Sequence, residues 1–277
     1  MAFLSFLSHF ITMLLLAGTT LMLLFIVFSG SINHFPFNRF YWVQADVSAI
    51  ASAGADIARW TFWGLCYPDH FDSGSTNNCP SLGPDVPISP FDNFGNSTAI
   101  PIDFINNRDT YYYLSRFAFP FLLIALIFSG VSFIGSLFSP CWMAMKKVVT
   151  FFVAIACIFC MTGASLITAV SVMTRNKFHD DGARAKVGSD SLGMVWASTA
   201  CLMILFLLTC CSTMRKVYKK HKEAEAREYQ DPLTAQPQPT NTLPPTEDYN
   251  QQPQESAGIR FFKIRRNQEK AEEDSVV

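Results

Sequence analysis

Four stretches of this chain are each long and apolar enough to cross a bilayer, and this limits the fold more than any other feature. They run from about Phe10 to Phe28, Phe117 to Phe138, Val148 to Val172 and Leu192 to Cys211, with no Asp, Glu, Lys, Arg or His in their interiors. About twenty apolar residues in a helix span a hydrocarbon core of roughly 30 Å, and the helix satisfies its own backbone hydrogen bonds where no water can. Only 16% of the residues are charged, against about a quarter in a soluble domain. A cleaved leader is the competing reading of the first run. A leader has a positive n-region and an apolar core of about 7 to 15 residues; here no Lys or Arg precedes Arg39 and the run is longer.

The expected fold is therefore an α-helical membrane protein, a four-transmembrane-helix bundle. Its segments are an N-terminus at 1–9, spans at 10–30, 117–138, 148–172 and 192–211, loops at 31–116 and 173–191, a turn at 139–147 and a tail at 212–277. Gly130 and Gly135 in the second span, with Gly163, Ala164 and Ser165 in the third, are small enough to let helices approach closely.

Charge gives the expected orientation. The large loop, 31–116, holds eight Asp, four Arg and no Lys, whereas the fourth span is followed by Arg215, Lys216, Lys219, Lys220 and Lys222. Basic flanks mark the cytoplasmic side, and Lys146 and Lys147 in the short turn agree. Arg175, Lys177, Arg184 and Lys186 in the third connection weaken the count. Two features of the large loop add to it: Asn96-Ser97-Thr98 is an N-glycosylation sequon, and Cys66 and Cys79 are the loop's only cysteines. Both suit an oxidising, lumenal compartment, so both termini are expected inside and the Cys66–Cys79 pair is expected as a disulfide.

The first half of that loop is rich in aromatic and β-branched residues, at Phe40-Tyr41-Trp42-Val43 and Arg59-Trp60-Thr61-Phe62-Trp63. This composition predicts strands, and hence a small extracellular antiparallel β-sheet with the cysteine pair closing a hairpin-like loop. Its second half, punctuated by Pro80, Pro84, Pro87, Pro90 and Pro101, reads as irregular, and Tyr111, Tyr112, Tyr113 and Arg116 read as an interfacial belt leading into the second span. The whole tail, 212–277, is expected to be disordered and cytoplasmic, most clearly from Asp231 to Pro253, where Pro, Gln and Thr dominate.

Residues that could carry catalysis are sparse. The spans show no carboxylate pair, no histidine at metal-ligand spacing and no evident ion or proton path. Asp69, Asp72 and Asp85, with His34 and His70, read as scattered loop residues, so no enzyme activity, metal, cofactor or nucleic-acid partner is expected. Cys141, Cys210 and Cys211 lie at helix ends beside basic residues, a setting for S-palmitoylation or for ordinary packing, while Cys157, Cys160 and Cys201 read as core. In the tail, Arg260, Lys263, Arg265 and Arg266 interleave with Phe261, Phe262 and Ile264. With Arg215, Lys216, Lys219 and Lys220 they could rest on an anionic inner leaflet, or the short distal segment could dock a protein. Ser275-Val276-Val277 could serve as a carboxylate-capture peptide.

A run of motifs in order carries a family resemblance: Phe40-Tyr41-Trp42-Val43-Gln44-Ala45-Asp46, then Arg59-Trp60-Thr61-Phe62-Trp63-Gly64-Leu65-Cys66, Cys79, and Arg108-Asp109-Thr110-Tyr111-Tyr112-Tyr113. Over about residues 1–212 the chain resembles the fungal eisosome-associated tetraspan proteins related to PalI, the SUR/PalI family. More distantly, Trp63-Gly64-Leu65-Cys66 with Cys79 is similar to the claudin signature, except that Cys66 follows Leu65 directly, where claudins place another tryptophan and a spacer. The resemblance implies a plasma-membrane organiser in sterol- and sphingolipid-rich furrow compartments, affecting endocytosis, cell-wall construction or sporulation. Implied partners are membrane lipids, further copies or other tetraspan proteins, and cortical eisosome proteins. An accessory subunit of ambient-pH signalling, of the PalI type, is the alternative. Trp63 is expected to pack on the cysteine bridge.

Overall fold

The computed structural model describes residues 2–32, 34–74, 78–80, 83–138 and 143–230. Met1–Ala226 form one compact unit, and of the remainder, Arg227–Val277, only residues 227–230 are described. Every apolar run becomes a helix. These are α1 (Ala2–Val27), α4 (Arg108–Phe138), α5 (Met143–Asp180) and α6 (Ser189–Gln230), with two short helices between the first two, α2 (Pro90–Phe94) and α3 (Ile102–Asn106). The four long ones contain segments long and apolar enough to cross a membrane, at Phe6–Val27, Arg108–Phe138, Met145–Asp180 and Ser189–Glu223.

Helical structure runs well past the apolar cores. The second long helix starts at Arg108, so Tyr111–Tyr113 and Arg116 lie inside it rather than leading into it, with Asp109 in the first turn where the helix dipole favours an acid. Lys146 and Lys147 belong to the start of α5, not to the turn before it, and α5 continues through Asp180 into the expected loop at 173–191. Likewise α6 carries residues 212–230, which corrects the expectation that the whole of 212–277 is disordered. Those residues are mainly Lys, Arg, Glu and Ala, strong helix formers, with Lys219 and Glu223 paired one turn apart at 3.8 Å. The rest of the expected tail lies outside the described residues.

Within the bundle α4 packs between α1 and α5, and the glycines mark the closest approaches. A Cβ on Gly163 would come within 2.8 Å of Leu122 Cγ, and one on Gly135 within 3.1 Å of Val149 Cγ2. The spans are not bare of polar groups. Ser129, Ser132 and Ser136 of α4 are buried on one face, and each donates to a carbonyl of its own preceding turn (Leu126, Phe128 and Phe133). Thr20 Oγ1 of α1 reaches Ser129 Oγ at 3.4 Å, Trp196 Nε1 of α6 donates to Thr168 Oγ1 of α5 at 3.1 Å, and Cys160 Sγ meets Thr199 Oγ1 at 3.3 Å.

At one end of the bundle sits a four-stranded antiparallel sheet of β1 (Val43–Asp46), β2 (Ile57–Trp60), β3 (Leu65–Cys66) and β4 (Ala185–Val187), in the order β3-β2-β1-β4. Two features differ from expectation. The strands are offset, because Trp42 is buried just ahead of β1 and Thr61–Gly64 form a tight turn in which the Thr61 amide and hydroxyl both donate to Gly64 O, at 3.0 and 2.7 Å. The fourth strand comes from the other connection, pairing Val43 with Val187 and Ala45 with Ala185. Strand alternation then puts Val43, Ala45, Ala58, Trp60 and Leu65 on the core side, all buried.

Candidate functional site

The outward row of the sheet runs Cys66, Arg59, Gln44, Lys186 across the four strands. Cys66 bonds Cys79 with an S–S distance of 2.09 Å, and the loop so closed folds back over that row. The Phe71 carbonyl accepts from Gln44 Nε2 at 2.7 Å and from Lys186 Nζ at 2.8 Å; the Ser73 carbonyl accepts from Arg59, whose Nε also donates to Gln44 Oε1. Cations cover both aromatic rings here. Arg184 and Lys186 lie 4.3 and 4.9 Å from the Phe71 centroid, and the Arg59 guanidinium lies 4.7 Å from that of Tyr41. Arg59 is 1% exposed, and burial pulls its pKa below the ordinary arginine value, with Tyr41 and Asp72 opposing the shift. Burial raises the pKa of the Tyr41 hydroxyl, with the charge of Arg59 opposing the shift. An arginine starts so high that it stays charged at any physiological pH, so its planar fork acts as a permanent clasp between sheet and loop.

The core side of the sheet is fixed to the helices by aromatic contacts. Trp60 stands 5.9 Å edge-on from Phe94 and 6.2 Å from Phe178 of α5, and its Nε1 donates to Asn93 Oδ1 at 2.7 Å. Trp63 does not lie against the cysteine bridge as expected. It stacks on Phe28 at 5.7 Å, stands edge-on to Phe119 of α4 at 6.3 Å, and donates from Nε1 to Val27 O at 2.7 Å, because the Thr61–Gly64 turn aims it at the end of α1 and the flank of α4. Gly64 is the residue beside the bridge: a Cβ there would stand 3.3 Å from Pro80 O and 3.9 Å from Cys79 Cβ. Leu65 is buried in β3. The motif Trp60, Trp63, Gly64, Leu65, Cys66 is thus the joint between sheet, loop and bundle.

The other sequence-predicted positions are dispersed. Asn96 is exposed just after α2, on the connection that carries the sheet. Cys210 is half-buried and Cys211 exposed far along α6, where Arg215 and Lys219 are exposed too; Lys216 and Lys220 lie on the same helix. Cys141, Arg260, Lys263, Arg265 and Arg266 lie outside the described residues. Among the described residues, no three His, Cys, Asp or Glu side chains are grouped to hold a metal. Sequence reasoning missed Gln44, Phe71, Arg184 and Lys186. Gln44 could have been found, as a polar position alternating with Val43 and Ala45; a three-residue strand such as Ala185–Val187 leaves no periodicity to read.

Four apolar helices bearing a disulfide-clipped sheet assembled from two connections define a tetraspan membrane protein. The chain belongs to the SUR7/PalI family, whose model matches residues 8–208. It is 46% identical to Protein SUR7 of Candida albicans over 274 residues, covering 96% of this chain and 98% of that protein. Over 198 residues it is 42% identical to Protein SUR7 of Saccharomyces cerevisiae, covering 72% of this chain and 65% of that protein. A third relative, from the same yeast and named only as an uncharacterized plasma membrane protein, is 32% identical over 274 residues, covering 92% and 86%.

Proposed function

We propose that the protein is a non-enzymatic organiser of the plasma membrane, resident in sterol-rich compartments of the eisosome type and acting there on endocytosis, cell-wall construction or sporulation. The observation that carries this reading is the joint. Trp63, Trp60 and the Cys66–Cys79 loop lock a rigid cap onto helices whose spans hold no Asp, Glu, Lys, Arg or His in their apolar cores. Such a molecule suits lateral assembly and lipid sorting better than ion or proton transport, which draws on Asp, Glu, His, Lys or Arg along a path. The cap faces outward and both termini face the cytoplasm. This orientation fits an exposed Asn96 and a disulfide at the sheet end of the bundle, and exposed Arg215 and Lys219, with Cys210 and Cys211 as acylation sites, towards the other end of α6. The basic segment then meets the anionic inner leaflet and cortical proteins, while the helices meet lipid, further copies or other tetraspan proteins.

Localisation tests the reading. A fluorescently tagged full-length protein is expected in cortical patches coincident with an eisosome marker, and an even distribution over the plasma membrane refutes the proposal. Asn96→Gln is expected to remove any glycosidase-sensitive mobility shift, which reports the side the loop faces.

A further inference from the structure

At the sheet end of the bundle, between the start of α4 and the end of α5, lies a cleft of about 510 Å³ that none of the above uses. This is within the roughly 300–1,000 Å³ of small-ligand sites. From one wall comes Asp103, whose two oxygens accept from Asn107 Nδ2 at 2.9 Å and from the hydroxyl of buried Tyr111 at 2.7 Å. From the other wall comes Lys177 of α5, whose Nζ stands 3.9 Å from Asp103 Oδ1 and 3.9 Å from Asp180 Oδ2. Both separations exceed a direct hydrogen bond, so the ammonium is held by two carboxylates with its donors still to be used. Asn176, also on α5, and Thr110 add an amide and a hydroxyl, and Met173 an apolar wall.

We propose that this cleft binds a neutral polyhydroxyl group, a hexose unit. The chemistry selects against the alternatives. Two carboxylates repel an anion such as a phosphate or sulfate, and the ammonium between them occupies the place a metal cation would take. What remains is a close alternation of donors (Lys177, Asn176, Thr110) and acceptors (Asp103, Asp180) beside an apolar wall. Vicinal hydroxyls, each donor and acceptor at once, satisfy that set: one hydroxyl can accept from Lys177 Nζ and donate to Asp180 in the space their 3.9 Å separation leaves. Asp103, already fixed by Tyr111 and Asn107, gives the site a preformed acceptor that needs no reordering on binding. The ligand is either a free glycan or the sugar headgroup of a lipid, since the cleft is at the end of two spans.

The experiment uses the full-length protein in nanodiscs, with saturation-transfer NMR as the readout. The soluble probes are hexamers of β-linked glucose, of β-linked N-acetylglucosamine and of α-linked mannose. A second arm places glucosylceramide, or ceramide as its control, in the disc. Binding of a soluble hexamer, or of glucosylceramide but not ceramide, is expected; the first assigns a free glycan and the second a lipid headgroup. Lys177→Met and, as a gentler change at an exposed side chain, Asp180→Asn are each expected to weaken binding by at least about tenfold, the scale of one charge-assisted hydrogen bond. Asp109→Asn, on an 81% exposed side chain, leaves it unchanged. The proposal is overturned if no probe binds up to about 10 mM, if both cleft variants bind like the parent protein, or if sulfate or calcium competes the sugar away. None of these results bears on the patch localisation that tests the organiser reading.

Discussion

Gly188 offers the sharpest test of how the second connection is tied to the first. Its amide donates to Trp42 O at 2.8 Å, closing β4 onto β1. A Cβ at this position would lie 1.7 Å from Tyr41 O and 2.7 Å from Tyr41 C, atoms of the backbone that no rotamer change can move. Restoring an ordinary contact of 3.4 Å requires the strand to retreat by a distance comparable to the overlap itself. That retreat breaks the Gly188–Trp42 bond and strains its neighbours, the Asp46–Arg184 bond at 2.8 Å and the Lys186–Phe71 bond at 2.8 Å. At about 1 kcal/mol for each hydrogen bond lost, Gly188→Ala should cost roughly 2–4 kcal/mol. For a chain of this size that lowers the thermal midpoint by about 5–15 °C. Gly193, five residues on and exposed in α6, is the internal control: a Cβ there meets nothing within 4 Å. Alanine favours a helix by up to about 1 kcal/mol over glycine, so Gly193→Ala should leave the midpoint unchanged or raise it slightly. Thermal unfolding of the detergent-solubilised full chain, followed by tryptophan fluorescence, measures both. Equal midpoints for Gly188→Ala and the parent protein, or a Gly193→Ala variant as unstable as Gly188→Ala, would refute the reasoning.

Replacing Cys66 and Cys79 by serine together frees a loop whose ends are 13 residues apart and should cost about 3 kcal/mol by the loop-closure relation; thiol alkylation without reductant should label the parent protein at neither position. Trp63→Phe keeps the stack on Phe28 but loses the 2.7 Å bond to Val27 O, so its loss of stability should stay near 1 kcal/mol, whereas Trp63→Ala should exceed it severalfold in the same melt. The Asp85 carboxyl is pushed above the ordinary aspartate range by burial, with Arg116 at 3.0 Å only partly offsetting this. A group with a raised folded pKa favours folding below its unfolded pKa and loses that contribution as pH rises through the folded value. Asp85→Asn should therefore melt no lower than the parent at pH 7 despite the lost ion pair, and the gap should close as pH falls towards 4; a large destabilisation at pH 7 would contradict the direction.

What could be read in advance follows from how each signal is encoded. Spans such as Val148–Val172 announce themselves because hydrocarbon imposes one requirement on every residue in them. The cysteine pair was legible because only two cysteines occupy the loop, and strand composition marked Trp60 correctly. Strand register was not, since aromatic content cannot say whether Trp63 belongs to a strand or to the turn after it; the Thr61 hydroxyl bonding Gly64 decides that. Nor could β4 be found, for Ala185–Val187 is a strand only because β1 presents a free edge to it. The cleft was equally hidden. Asp103 and Lys177 are 74 positions apart, and Lys177 looked like part of a loop until α5 proved to continue past the membrane core to Asp180.

That continuation has a mechanical result. Phe178, carried on the overhanging turns of α5, contacts both Trp60 of the sheet at 6.2 Å and Phe104 of α3 at 5.1 Å, and Phe104 in turn meets Tyr111 of α4 at 4.8 Å. The sheet is thus held by α5 through Phe178, by α4 through Phe62 and Phe119 at 5.3 Å, and by α1 through Trp63 and Val27. A plate fixed to three struts cannot pivot about any one of them. Contacts made by the cap therefore constrain the azimuth of the helices, and with it which faces of α1, α4 and α5 meet neighbouring lipids. A cap on a flexible tether would let each molecule find its neighbours independently of the helices below it. The fixed joint instead allows an assembly ordered on one side of the membrane to impose order on the other, which is what the proposed organiser role requires.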